Sequence, residues 1–192
     1  MSVDEDKDKS KDKDNKKEEL IAELKNCGAV KFGDFTLASG KKSKYYIDIK
    51  KASTDPVTLR IIAEQAAGKI RDIDLDIVGG VALGGVPIAT AVSLETGLPL
   101  LLVRKDVKDY GTGGRFVGDM TNGARVVLME DVTTSGGSVL DGISAVRDAG
   151  GVVDTVITVV DREENARERL DSVGVALIPL VKASDLVVQD RS

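Results

Sequence analysis

Near-continuous runs of Val, Ile and Leu at residues 76–80, 99–104, 125–130, 152–160 and 175–181 most constrain how this chain folds. A strand with one face in water alternates polar and apolar residues, and these runs do not, so both of their faces must be covered. Residues 56–71, 85–96, 137–149 and 163–173 lie between them with amphipathic, helical spacing. Pro56, after Thr54 and Asp55, marks one helix start. Strand–helix alternation of this kind predicts an α/β fold, a doubly wound, mostly parallel sheet with helices on both sides. With 192 residues the chain is long enough for one such domain.

The N-terminal third reads differently. Residues 1–17 are a mixed run of Asp, Glu and Lys that offers nothing to bury, and they are expected to be a disordered charged tail. The single domain is expected over 18–192. Leu20, Ile21, Leu24 and Cys27 share a helical face that Gly28 ends, and two alternating segments around Ser39 and Gly40 read as a hairpin. Together they predict a small hood, about residues 18–52.

Composition removes several chemistries. The chain has no histidine, which excludes His triads, His metal sites and His acid–base work. One cysteine excludes an internal disulfide and thiolate-rich zinc sites. A net charge of −5 argues against nucleic acid held by phosphate neutralisation. No apolar run reaches the ~18 residues of a membrane helix, and no apolar segment reads as a signal peptide, so no membrane partner and a cytoplasmic location are expected. All six aromatic residues fall in two short segments, 32–46 and 110–116, which implies an aliphatic core.

Ligands of doubly wound sheets bind beyond the carboxyl ends of the strands, and three strand exits stand out. The strongest is VVLMEDVTTSGGS, residues 126–138. There the acids Glu130 and Asp131 precede Val132, Thr133, Thr134, Ser135, Gly136, Gly137 and Ser138 at a helix start. Backbone N–H groups and hydroxyls in such a turn make a nest for a phosphate, helped by the helix dipole. The acids suit sugar hydroxyls or a divalent cation, so the combination points to a phosphorylated sugar. A capped helix explains one hydroxyl there but not two consecutive acids. The second exit, residues 78–89, carries Gly79, Gly80, Gly84 and Gly85, which allow backbone to approach a ligand. The third, residues 104–119, gathers Arg104, Lys105, Lys108 and Arg115 among glycines, as a mobile basic lid would.

The segment EDVTTSGGS resembles the phosphoribosyl-diphosphate signature of the type I phosphoribosyltransferases. Together with FTLASGKKSKYYIDIK, RKDVKDYG and VVDRE, it is similar to the orotate phosphoribosyltransferases, in their archaeal-type short form, over about residues 18–190. The resemblance implies Mg²⁺-dependent transfer of ribose 5-phosphate from 5-phospho-α-D-ribose 1-diphosphate (PRPP) to N1 of orotate. It implies PRPP contacts from Arg104, Lys105, Lys108, Tyr110, Glu130, Asp131 and residues 132–138. Catalytic roles fall on Lys105, Lys108 and Asp131. Thr134 and Arg162 would hold orotate, Mg²⁺ would be held mainly through PRPP, and the turn at Ala82 and Leu83 would approach the diphosphate, in relatives through a cis peptide. A homodimer sharing its lids across the interface is implied as well.

Three positions depart from the pattern. Tyr110 stands where the lid usually carries a His, and a phenol adds no positive charge near neutral pH, which points to weaker diphosphate contact or slower turnover. Ala38 stands where bacterial relatives have a Lys that Lys41 or Lys42 would have to replace, and Gly84 where they have another. Two other readings compete: a phosphoribosyltransferase for a different base, which would not need Arg162, and a non-catalytic, phosphoribosyltransferase-like transcriptional regulator. The N-terminal residues 1–27 leave no room for a helix-turn-helix.

Overall fold

The computed structural model describes residues 3–36, 40, 42–108 and 114–188. Its centre is a six-stranded sheet formed by β3 (Ile77–Val81), β4 (Leu100–Lys108), β5 (Gly114–Val117), β6 (Arg125–Thr133), β7 (Val152–Asp161) and β8 (Ala176–Lys182). The spatial order is β5-β4-β3-β6-β7-β8, with only the β4–β5 pair antiparallel. The parallel strands therefore wind outward in both directions from the β3–β6 pair, and the crevice of a doubly wound fold opens beyond the ends of those two strands.

Helices cover both faces. On one side lie α1 (Val3–Asn26), α3 (Pro56–Ile70), α4 (Gly85–Thr96) and α7 (Ala183–Val188); on the other lie α5 (Gly137–Asp148) and α6 (Ala166–Asp171). Strand β6 shows the reason for its unbroken apolar run. Val127 and Met129 are buried in the cluster under α3 and α4, while Val126 and Leu128 are buried in the cluster under α5. Successive side chains of a strand point to opposite faces, so a strand roofed twice must be apolar at every position. Among the described residues both clusters consist of aliphatic side chains and Met129, and the aromatics stay at their edges.

The N-terminal part caps one end of the sheet. An antiparallel ribbon of β1 (Val30–Thr36) and β2 (Lys42–Ile47) leads into the short helix α2 (Ile49–Ala52), whose Ile49 and Ala52 are buried. Asp55 caps α3 by accepting the N–H of Thr58 at 2.8 Å.

Several elements differ from the sequence reading. Residues 3–17, expected as a disordered tail, are helical and continue the helix that docks at its C-terminal half. Leu20, Ile21 and Leu24 are buried, and Lys17 pairs with Asp185 of α7 at 2.8 Å. The segment after residue 104, expected as a loop, is an edge hairpin in which β4 runs on to Lys108 and pairs back with β5. Strand β6 extends three residues past Glu130 because β7 continues beside it to Asp161. Helices α2 and α7 are too short to leave a periodic signal.

Candidate active site

The alternation along β6 separates the two acids. Asp131 follows Val127 and Met129 on the face covered by the hood, whereas Glu130 follows Val126 and Leu128 on the face of α5. Both are buried. Glu130 Oε1 accepts the N–H of Asp131 at 3.2 Å, while Oε2 is buried without a partner. Burial pushes the Glu130 carboxyl up to about 9, and the neighbouring Asp131 adds to the rise. Asp131 moves the other way. Burial opposes its charge, but the Glu130 carboxyl, the Lys50 ammonium and the Val132 N–H favour the anion, and together they hold it below the ordinary carboxylate range.

Lys50 therefore belongs to the site: it ends the segment FTLASGKKSKYYIDIK, in which the sequence reading gave it no role. Its Nζ lies 2.8 Å from Asp131 Oδ2. Hydrogen bonding to Asp131 raises its affinity for its proton. Burial thus favours the proton on Glu130, while Asp131 keeps its charge against Lys50. A phosphate beside the two acids then need not meet two negative charges, because Glu130 favours its neutral form.

Beyond the acids, a polar pocket is lined by Glu130, Val132, Thr133, Thr134, Gly136, Gly137, Ser138 and Val139. Gly136 adopts a left-handed φ of 73° and turns the chain into α5, and no side chain caps the first N–H groups of that helix. An uncapped helix start facing a hydroxyl-lined pocket suits an anion. Arg169 holds the turn from outside, donating to the Ser135 carbonyl at 2.5 Å.

The second exit meets the first. Gly84 of the β3–α4 turn sits against the Asp131 carboxylate, and Gly85 against the Met129 carbonyl, so close that neither position has space for a Cβ. The Ala82–Leu83 peptide is cis, and Ala82 N–H donates to the Val103 carbonyl at 2.9 Å. Arg162 arrives from the end of β7, where its N–H donates to the Thr133 carbonyl at 2.9 Å. Its guanidinium carbon lies 5.7 Å from the centre of the Tyr45 ring. Nε is 3.3 Å from Glu164 Oε1 but lacks hydrogen-bond geometry, leaving a mostly buried cation with donor capacity to spare.

The basic hairpin is not joined to this group. Arg104 donates to the Gly114 carbonyl at 3.3 Å, Arg115 donates to the Arg104 carbonyl at 3.1 Å, and Arg115 also pairs with Asp141 of α5. Lys105 is exposed, and among the described residues neither it nor Arg104 bonds to residues 130–138. Tyr110, Ala38, Lys41 and the Lys108 side chain lie outside the described residues. Lys42 is engaged within the ribbon, donating to Thr36 Oγ1 at 2.8 Å.

Among the described residues no three His, Cys, Asp or Glu side chains cluster as a metal cage. Carboxylate oxygens are the hard ligands that a divalent cation takes, so the residues present at this exit are compatible with Mg²⁺.

Comparison with known proteins shows the family. The phosphoribosyl transferase domain family matches residues 51–179. The orotate phosphoribosyltransferase of Methanosarcina mazei is 69% identical over 172 residues, covering 90% of this chain and 92% of that protein. The crystal structure of the orotate phosphoribosyltransferase of Aeropyrum pernix superposes with a TM-score of 0.79 at 35% identity, covering 88% of this chain and 97% of that one. The Mycobacterium tuberculosis orotate phosphoribosyltransferase, solved in complex with PRPP, gives a TM-score of 0.76 at 31% identity over 89% of this chain and 98% of that one.

Proposed function

The chain belongs to the phosphoribosyltransferase family, among the orotate phosphoribosyltransferases, and from that premise we propose how its own residues carry the reaction. The reaction transfers ribose 5-phosphate from PRPP to N1 of orotate, giving orotidine 5′-monophosphate and diphosphate for pyrimidine synthesis. The bond from C1 to the diphosphate oxygen breaks, its electron pair leaves with the diphosphate, and N1 loses its proton to solvent or to the departing diphosphate and bonds to C1. Positive charge grows on the sugar ring and negative charge on the leaving group, so the protein must position both partners and neutralise the leaving group. The N1 proton of orotate is acidic enough that no histidine base is needed.

The observation that carries this assignment is the pair of buried acids at the end of β6 beside the uncapped start of α5. Thr133, Thr134, Ser135, Gly136, Gly137 and Ser138 cradle the 5′-phosphate, with Val132 supplying backbone. Asp131 accepts from a ribose hydroxyl, while protonated Glu130 donates or accepts at the other. Arg162 meets the orotate carboxylate as a planar fork, backed by Tyr45, and Thr134 touches the same base. Arg104, Lys105, Lys108 and Tyr110 bind the diphosphate when the hairpin closes. When bound with PRPP, Mg²⁺ would supply further positive charge at the diphosphate, beside Arg104, Lys105 and Lys108. Residues 18–192 act as one catalytic domain with 18–52 as its hood. The protein works as a homodimer whose hairpins reach the partner's site, and it works in the cytoplasm; among the described residues no helix is long and apolar enough to cross a membrane.

The test is orotate consumption, followed by absorbance, with PRPP and Mg²⁺. Mg²⁺-dependent loss of orotate that Lys105→Ala abolishes supports the assignment. PRPP binding without turnover would favour another base or a regulator.

A further inference from the structure

The Lys50 ammonium stands against the Asp131 carboxylate where a sugar hydroxyl would bind it. Oδ1 already accepts the Val132 N–H at 2.8 Å, Gly84 closes one side of the carboxylate, and Lys50 stands at 2.8 Å from Oδ2. We propose that Lys50 is a further substrate-binding residue, whose ammonium guards Asp131 in the free protein and passes to the diphosphate of PRPP when the ribose hydroxyls take its place. The proposal rests on residues 82–85 and 130–138 being the diphosphate and ribose-phosphate sites.

The geometry supports a transfer of this kind. The Lys50 side chain is 63% exposed and that of Asp131 is 9% exposed, so the ammonium lies on the solvent side of the carboxylate, at the mouth of the crevice. Helix α2 is anchored by buried Ile49 and Ala52, while four methylenes leave the ammonium free to swing. Asp131 touches the turn at Gly84, so a ligand group resting on that turn lies beside the ammonium. A diphosphate carries more negative charge than one carboxylate and attracts the cation more strongly at equal distance. An ammonium has three donors, and the Asp131 contact uses one of them. Among the described residues, Lys50 is the cation within hydrogen-bond reach of the acid pair.

Two ligands separate this role from a structural one, because ribose 5-phosphate has the sugar hydroxyls and 5′-phosphate but no diphosphate. Calorimetric titrations of the full chain with PRPP plus Mg²⁺, and with ribose 5-phosphate, would compare wild type, Lys50→Met and Lys50→Arg. The expected result is a loss of PRPP affinity of roughly 10- to 100-fold in Lys50→Met, the range of one charge-assisted hydrogen bond. Ribose 5-phosphate should bind within about twofold of wild type or more tightly, since Asp131 is released. Lys50→Arg should recover most of the PRPP affinity. Unchanged PRPP binding in Lys50→Met would overturn the proposal, and so would an equal loss for both ligands, which would mean that Lys50 merely orients Asp131. Wild-type protein binding neither ligand would remove the reading of the whole site, and the role of Lys50 with it.

Discussion

Gly84 and Asp131, 47 positions apart in the sequence, occupy one space: a Cβ on Gly84 would run into the Asp131 carboxylate. They meet because the β3–α4 turn and the end of β6 are neighbours in the sheet, so the backbone of one strand exit forms a wall for the acid of the other. The next glycine has a different neighbour. A Cβ on Gly85 would strike the main-chain carbonyl of Met129.

These neighbours predict different failures. In Gly84→Ala the methyl displaces a side chain pinned by Val132 N–H and Lys50, so the KM for PRPP should rise roughly tenfold or more, as when one charge-assisted contact is lost. Its melting temperature should stay near that of wild type. In Gly85→Ala a strand or helix must move, at about 1–3 kcal/mol of stability. Denaturant melts alongside kinetics check the contrast; equal destabilisation of the two variants would contradict it.

Glu130 sets a pH dependence of stability. Its ordinary value of 4.5 is raised to about 9 by burial, so between those values the folded state holds a proton that the unfolded state has released. Folding stability attributable to this group is therefore full below the unfolded value and falls as pH rises towards 9. Glu130→Gln carries no proton to lose. The variant should gain stability over wild type progressively from about pH 5 to pH 9, read as melting temperature against pH. Parallel curves would refute the protonated Glu130. Asp131, shifted the other way, loses its contribution as pH falls through its lowered folded value, in the acid range outside this window.

Arg162 should separate the two substrates. Its guanidinium lies against Tyr45 with unused donors, and its backbone is held by Thr133. Arg162→Ala should raise the KM for orotate by roughly 100-fold, the scale of a bidentate charged pair, and change the KM for PRPP little. Arg162→Lys should recover only part of the loss, because a point cation lacks the fork. Initial-rate kinetics in both substrates decide the matter, and unaltered orotate affinity would point to another base.

The Arg115–Asp141 pair ties the edge hairpin to α5 through an Asp that is 56% exposed. Exposed pairs contribute about 0–1 kcal/mol, so Asp141→Asn should leave global stability almost unchanged. Amide exchange across residues 114–117 should nonetheless quicken as the tether is lost. Hydrogen-exchange mass spectrometry measures both, and unchanged exchange there would show that the pair restrains nothing.

Much of this architecture could be read along the chain. Unbroken Val/Ile/Leu runs announced strands roofed on both faces, the confinement of the aromatics announced an aliphatic core, and α4 begins and ends where its periodicity does. Glu130, Asp131 and the hydroxyl-rich turn could be proposed together because they are consecutive residues, and the structure keeps them together at the end of β6. The role of Arg162 came with the family resemblance.

Other features had no local signal. Residues 3–17 carry charges that suit a solvated tail as well as a helix, and their continuity with the buried Leu20–Leu24 turn settles which forms. The edge hairpin depends on β5 finding β4 across a glycine-rich gap. The opposite protonation of two adjacent acids depends on what each meets on its own face of β6: Glu130 is buried beside α5, while Asp131 reaches Lys50, which is 81 residues away and in another part of the fold. Hydrophobic period and turn chemistry act over a few residues and are written in the order of the chain. A charge's partner is set by which elements become neighbours in space, and here the β3–β6 pairing brings Gly84 to Asp131 while the docking of α2 brings Lys50.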